Sequence, residues 1–261
     1  MPILFFPPST ALLRSACRRL VRPALLAAAL GGALGGQAAA QTFGFTPTIL
    51  NIDSTRNLVA ETTMLNSTAT PARFTVEAKV WKIVDGQAVL EDTRDLIVNP
   101  ATFTVAPGAA QLIRVGVRKK PGASELSYRI VVRQEAIEGV PLPKVNSSFG
   151  EGRSAAMNVS VVFSLPIYVT PPAARAQVAF RAVAQGGDVV LTVQNSGTRR
   201  AIYRNVLLTR GGVTQSAQVI AALAGSTQTF TLRGLAAQAG PLTLKYVNED
   251  GKTLVETIPA P

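Results

Sequence analysis

The stretch Ala155–Thr170, AAMNVSVVFSLPIYVT, alternates between apolar and mostly polar residues almost without error. Side chains of a β-strand point alternately to its two faces, so this pattern predicts one long ribbon with an apolar and a mostly polar face. At about 3.3 Å per residue the ribbon would extend roughly 50 Å, well beyond a usual strand of five or six residues. The spacing leaves two interpretations open: a strand that fills its own core, or one that lends apolar side chains to another protein.

The first 40 residues have the features of a secretory signal peptide. Four arginines between Arg14 and Arg22 precede an apolar run from Ala24 to Leu34, and small residues end at Ala40. A membrane anchor is the rival interpretation, but the apolar run is too short for the ~20 residues of a spanning helix. We therefore expect residues 1–40 to be removed near Ala40, and we expect an exported chain that does not insert into the membrane.

The composition excludes most catalytic sites. The chain has no histidine, and its one cysteine, Cys17, lies in the predicted signal. Ser–His and Cys–His nucleophile pairs and the commonest zinc sites therefore cannot form. No glycine-rich phosphate loop is present either. We expect no enzyme, metal or cofactor, with a hydrolase that uses carboxylates alone as the remaining catalytic alternative.

The positive charge is spread along the chain. Removal of the signal leaves 22 basic and 15 acidic residues, a net charge of +7. The densest basic run, Arg118–Lys120, precedes Pro121 and Gly122 and is typical of a solvated turn. Nucleic-acid sites combine clustered basic residues with aromatic ones, so we do not expect nucleic acid as a partner.

Short runs rich in β-branched residues recur throughout, separated by Pro, Gly, Asn and Asp, and no helical period follows the signal. Their spacing predicts an all-β protein made of immunoglobulin-like sandwiches. Pro171 and Pro172 would end the long strand and form a stiff hinge. We therefore predict two immunoglobulin-like β-sandwich domains, residues 41–170 and 171–261, joined at an elbow.

Several segments together resemble the periplasmic pilus chaperones of the chaperone–usher pathway. The end of the long strand, Leu165–Pro171, is similar to the last strand of that family's first domain. The similar segments elsewhere are Ile52–Arg56, Asn99–Gly108, Gln111–Arg114, Tyr128–Val132, Leu191–Gly197 and Leu223–Ser226. In order and spacing the resemblance covers essentially the whole mature chain.

The resemblance implies a periplasmic chaperone for pilin-like subunits, which are immunoglobulin-like folds that lack their final strand. The family fills the resulting groove with its own alternating strand, a form of β-augmentation called donor-strand complementation, and delivers subunits to an outer-membrane usher. By position the donor side chains would be Met157, Val159 and Val161, with Phe163 and Leu165 extending the row. The free protein would shield this strand by self-association.

The family also anchors the subunit's C-terminal carboxylate with two basic residues between its domains. Arg56 matches the first anchor, but Pro166 stands where the family has a lysine. We expect Arg129 to replace the missing second anchor, because it lies on a strand expected beside the first and last strands. Arg114 and Arg133 are weaker candidates for the same role.

Other departures from the family occur at its interdomain ion-pair network. Thr170 stands where many members have an arginine, and Glu125 matches an acidic member of that network. These departures resemble a divergent branch close to the archaic or alternative chaperones. Pro166 on the polar face also favours an edge strand, because a central strand would need the missing N–H.

Two further interpretations stay open. The segment Glu135–Arg153 is typical of a long loop, either functional or a tolerated insertion. The whole chain is also compatible with an exported two-domain immunoglobulin-like protein that has a structural or adhesive role at the surface. An adhesin would bury the long strand in its own domain, whereas a chaperone would keep one edge available.

Overall fold

The structure, a computed structural model, describes residues 43–142, 144–148 and 154–259. Every regular element in these ranges is a β-strand. The predicted signal peptide lies outside the described residues, as do residues 143 and 149–153 of the predicted loop Glu135–Arg153. None of the described segments forms a helix long and apolar enough to span a membrane.

Twelve strands belong to the first half of the described chain. They are β1 (Phe43–Thr46), β2 (Leu50–Asp53), β3 (Val59–Asn66), β4 (Ala72–Val84), β5 (Gln87–Asp92), β6 (Leu96–Asn99), β7 (Thr102–Val105), β8 (Ala110–Val117), β9 (Leu126–Glu135), β10 (Lys144–Ser148), β11 (Ser154–Asn158) and β12 (Val162–Thr170). Seven follow: β13 (Val178–Gln185), β14 (Asp188–Asn195), β15 (Ala201–Arg210), β16 (Val213–Ala222), β17 (Thr227–Leu232), β18 (Leu242–Val247) and β19 (Thr253–Ile258).

Two sheets form the first sandwich. One has the order β1-β3-β8-β6, and the other has the order β2-β12-β9-β4-β5, with β7 also paired to β4. Alternate residues of their inner faces fill one core: on β9, Tyr128, Ile130 and Val132 are buried while their neighbours are at least partly exposed. Near the start the chain changes sheets, since β1 pairs antiparallel with β3 and β2 pairs parallel with β12.

A second sandwich follows with its own core. Its sheets have the orders β13-β14-β17 and β16-β15-β18-β19. Strand β14 shows why the sequence forms this layer, because Val189, Leu191 and Val193 alternate with partly exposed residues and are completely buried. The prediction of an all-β protein with two immunoglobulin-like sandwiches is confirmed.

The predicted single ribbon from Ala155 to Thr170 is wrong, because the structure divides it into β11 and β12. Residues Val159–Val161 lie between these strands. Gln134 holds the backbone there: its N–H donates to the Val161 carbonyl (2.9 Å), and its side-chain Oε1 accepts from the Val161 N–H (3.3 Å). Strand β11 leaves the main sheet and pairs with β10 instead.

The predicted edge position holds for only part of β12. The strand pairs with β9 from Val162 to Val169, but β2 covers its other side only from Ile167 onward. Among the described residues, no strand pairs with that other side between Val162 and Pro166. The first half of β12 is thus an open edge, and its second half is an interior strand.

Each sandwich contains a buried asparagine that joins several chain segments. Asn66, at the end of β3, donates from Nδ2 to the carbonyl oxygens of Thr70 (2.9 Å) and Val105 (3.0 Å). Asn195, at the end of β14, donates to the carbonyl of Ala222 (3.0 Å) and accepts from the N–H of Gly197 (3.0 Å). Both side chains are essentially inaccessible to solvent, so their removal would leave buried backbone groups without partners.

We predict that Asn66→Ala lowers the free energy of unfolding by about 2–4 kcal/mol, because several buried groups lose their hydrogen bonds at once. Asn57→Ala is the matched control, since Asn57 is exposed and accepts one bond from the N–H of Val59. Urea unfolding followed by circular dichroism measures both variants. Equal, small losses in the two would contradict the structural role of Asn66.

Candidate functional site

The predicted donor residues do not share one environment. Leu165 is only 4% exposed and belongs to the core of the first sandwich. Phe163 is half-buried, and its ring contacts those of Phe45 (5.0 Å between centroids) and Phe43 (6.2 Å). These positions argue against Phe163 and Leu165 as donors to another protein.

The remaining donor candidates lie just before β12. Val161 is partly buried against the same core, and Val159 is half-buried in the interruption between β11 and β12. Met157 lies on β11, where its backbone is opposite Val145; its side chain is outside the described part. The three residues therefore come just before the open edge along the chain, but they do not lie on one continuous strand.

Backbone directions explain why Pro166 is tolerated on β12. The Val161 carbonyl faces β9, and backbone groups of successive strand residues point to opposite sides. Those of Val162, Ser164 and Pro166 therefore face the open edge. Proline has no N–H, so at this edge it costs the sheet no ladder bond, and it limits how far another strand could pair toward Ile167.

Arg129 lies directly opposite Pro166 on β9. Its guanidinium stacks 3.9 Å from the centroid of the Trp81 ring, and Nη1 donates to the Ser164 hydroxyl (3.2 Å) and carbonyl (3.4 Å). Burial lowers the pKa of Arg129, although an arginine remains charged at neutral pH. A fixed cation thus lies at the open edge, where the family's lysine is missing.

Arg56 is in a different position. Its side chain is 85% exposed, and Nε lies 3.4 Å from Oδ2 of Asp53. Asp53 accepts hydrogen bonds from the backbone N–H and the hydroxyl of Thr55. These bonds, the backbone one most strongly, lower the pKa of Asp53, which therefore stays charged beside Arg56. Arg56 thus lies just after β2, which pairs with the last residues of β12, whereas Arg129 lies on β9 opposite Pro166 of the same strand.

An ion pair that was not predicted connects the two sandwiches. Arg200, from the segment before β15, donates from Nη1 to Oε2 of Glu125 (2.5 Å) and from its backbone N–H to Oε1 (3.2 Å). Thr170 donates its hydroxyl to the same Oε2 (2.6 Å). Glu125 is thus in an interdomain network, as the resemblance implied, and Arg200 supplies the cation that is absent at position 170.

Further contacts fix the guanidinium of Arg200. Nη2 donates to Asn51 (2.7 Å) and lies 3.2 Å from Glu249. Its Cζ lies 3.7 Å from the centroid of the Tyr168 ring, and burial raises the pKa of Tyr168 to about 12. The Arg200 side chain is only 4% exposed and that of Glu125 is inaccessible, so each charge depends on the other.

A cleft of about 530 Å³ opens beside this network, between the two sandwiches. Residues of β2, the end of β12, the start of β15 and the turn after β18 line it, including the charged side chains of Asp53, Arg175 and Arg204. Arg56 is not among the lining residues. No group of His, Cys, Asp or Glu in the described ranges is arranged to hold a metal ion.

Comparisons with known proteins place the fold. No family model and no curated protein matches the chain. Solved structures do: the CsuC chaperone, from the CsuC–CsuE chaperone–tip adhesion subunit complex of archaic chaperone–usher Csu pili of Acinetobacter baumannii, matches with a TM-score of 0.62 at 18% identity, over 83% of this chain and 98% of that chain.

Two other solved chaperones match over a similar extent. The Salmonella enterica SafB chaperone, in complex with the SafA pilin, has a TM-score of 0.56 at 15% identity, over 84% of this chain and 97% of that chain. The E. coli chaperone DraB has a TM-score of 0.55 at 16% identity, over 85% and 96%. The chain therefore has the two-domain fold of chaperone–usher pilus chaperones, and the predicted resemblance is confirmed at the level of the fold.

We predict that Arg200→Met lowers the free energy of unfolding by about 3–5 kcal/mol, because it leaves the carboxylate of Glu125 buried without a cation. The double variant with Glu125→Gln should recover much of this loss, since it also removes the buried charge. Arg175→Met, at an exposed arginine of the same cleft, is the control. Urea unfolding of all variants tests the pair, and additive losses in the double variant would contradict it.

Proposed function

We propose that this chain is a periplasmic chaperone that stabilises pilin-like subunits by donor-strand complementation and delivers them to an outer-membrane usher. The observation that carries the proposal is the open edge of β12 between Val162 and Pro166, directly after the alternating residues Met157–Val161. A subunit strand that pairs there would satisfy backbone groups that the first sandwich leaves open.

Apolar side chains that enter the subunit would supply most of the binding free energy. Met157, Val159 and Val161 alternate, so in an extended strand they share one face. Burial of the three would contribute roughly 5–9 kcal/mol before the cost of ordering the segment. Such a complex is stable, yet a competing strand of the next subunit could replace the chaperone.

The subunit's C-terminal carboxylate would end beside Arg129. Because Pro166 offers no N–H, pairing of an incoming strand along this edge stops near Ser164, where Nη1 of Arg129 already lies. A planar guanidinium suits a carboxylate in a bidentate arrangement. Arg56 would act as a second, more exposed contact for the same end of the subunit.

Two of the similar structures support the class of partner. CsuC was solved with the tip adhesion subunit CsuE, and SafB with the pilin SafA. The role assigned to the open edge agrees with a binding protein rather than an enzyme. Free chaperone would cover the same edge by pairing with a second copy, because an exposed edge promotes association.

A structural or adhesive surface protein is the second candidate. It is favoured by the burial of Leu165 and the packing of Phe163 in the chain's own sandwich, which is how an adhesin would use the end of its long strand. The open edge from Val162 to Pro166 favours the chaperone, because a self-contained sandwich gains nothing from it.

We predict that Val159→Asp abolishes the soluble complex with a pilin-like subunit co-expressed in the periplasm, because a carboxylate would have to enter an apolar groove. Val84→Asp is the matched control: Val84 is 45% exposed at the end of β4, a strand that does not pair with β12. Co-purification of the subunit measures both. If Val159→Asp retains the subunit as well as the control does, donor-strand binding is wrong.

We predict that Arg129→Ala weakens subunit binding about 10-fold to 100-fold, through the loss of a charge-assisted hydrogen bond worth roughly 1.5–3 kcal/mol. Arg73→Ala, at an exposed arginine on β4 of the same sheet, should have no effect. Titration of purified chaperone against refolding subunit gives the affinities, and circular dichroism verifies folding. Unchanged binding by Arg129→Ala together with a loss in Arg56→Ala would make Arg56 the anchor instead.

A further inference from the structure

Strands β10 and β11 form a two-stranded antiparallel sheet that is separate from both sandwiches. Five residue pairs join them, from Lys144 opposite Asn158 to Ser148 opposite Ser154. Met157, the first proposed donor, is opposite Val145 in this register. In the free chain, therefore, part of the proposed donor segment already has a strand partner within the same protein.

This pairing is incompatible with insertion of the same segment into a subunit. A strand that fills a groove inside an immunoglobulin-like fold pairs along both of its edges, and β10 occupies one edge of β11. The interruption at Val159–Val161 also separates β11 from the line of β12. Release from β10 would let residues 154–161 extend in line with β12.

The β10–β11 pair has the features of a replaceable contact. An isolated two-stranded sheet is marginally stable in water, and these two have no third strand in the described residues. Their sequences, KVNSS and SAAMN, contain a single β-branched or aromatic residue, Val145, and so have a weak preference for strand. Strand β10 covers backbone groups of β11 that would otherwise form an open edge. Because the pair is weak, separating the two strands costs little free energy.

We propose that Lys144–Ser148 is an internal cap: it occupies the edge of Ser154–Asn158 in the free chaperone, and an incoming subunit strand displaces it. This inference rests on the proposed chaperone function and adds the step that controls access to the donor segment. The cap prevents the free donor from pairing with unrelated strands, and it must be displaced before a subunit strand can pair with Ser154–Asn158.

A reversible disulfide tests the cap. Asn146 and Ala156 are directly opposite each other. Ala156 is next to Met157 and therefore on the other face of the strand, so the double variant Asn146→Cys with Ala156→Cys leaves the donor residue Met157 unchanged. The exported chain contains no other cysteine once the signal with Cys17 is removed. Arg181→Cys with Thr192→Cys, opposite each other on β13 and β14, is the matched control.

The probe is a denatured pilin-like subunit diluted into chaperone, with the soluble complex followed over time by size-exclusion chromatography. The oxidised cap variant should capture subunit at least 10-fold more slowly than its reduced form, and the control should be equally fast in both states. Asn146→Pro, which disrupts β10, should capture faster than wild type. Titration of free thiols verifies the bond, and failure of the two cysteines to oxidise would contradict the register.

The outcomes separate the two proposals. Equal capture by the oxidised and reduced cap variants would overturn the cap and leave the chaperone function intact. Absence of a complex with wild type, with the reduced variant and with Asn146→Pro would overturn the chaperone function itself.

Discussion

Unequal pairing on the two sides of β12 is the constraint on which the rest of the site depends. Strand β9 pairs with β12 from Val162 to Val169, whereas β2 pairs with it only from Ile167 to Thr170. The backbone groups of Val162 and Ser164 consequently have no strand partner among the described residues. An unpaired edge is unfavourable unless something covers it, so the edge itself argues for a partner strand. Pro166 and Arg129 then define where such a strand would end.

The contact between the sandwiches lies at the far end of the strand that carries this edge, beside the cleft. Arg200 of the second sandwich and Glu125 of the first are both buried, and the ring of Tyr168 on β12 lies under the guanidinium. A buried pair of this kind adds little net stability, because both charges lose their hydration, but removal of one partner leaves the other charge buried and uncompensated. Here it connects the elbow directly to the strand that carries the open edge.

Local patterns predicted the architecture well and the site only in part. Short β-branched runs were sufficient to predict two sandwiches, and the neighbouring-strand argument correctly placed Arg129 beside the long strand, where it lies opposite Pro166. The break at Val159–Val161 was not predictable, because the alternation is the same whether or not the strand continues; it depends on Gln134, 27 residues earlier in the chain. Arg200 was also missed, since it meets Glu125 across 75 residues and its only sequence signal was the missing arginine at Thr170.

Hydrogen exchange at single amides of β12, in the free chain and in a complex with a pilin-like subunit, tests the central claim most directly. The amides of Val162 and Ser164 face the open edge and should become protected in the complex. Those of Phe163 and Leu165 face β9 and should be protected in both states. A complex that forms while Val162 and Ser164 exchange at the rates of the free chain would show that the subunit binds elsewhere, and would contradict this account.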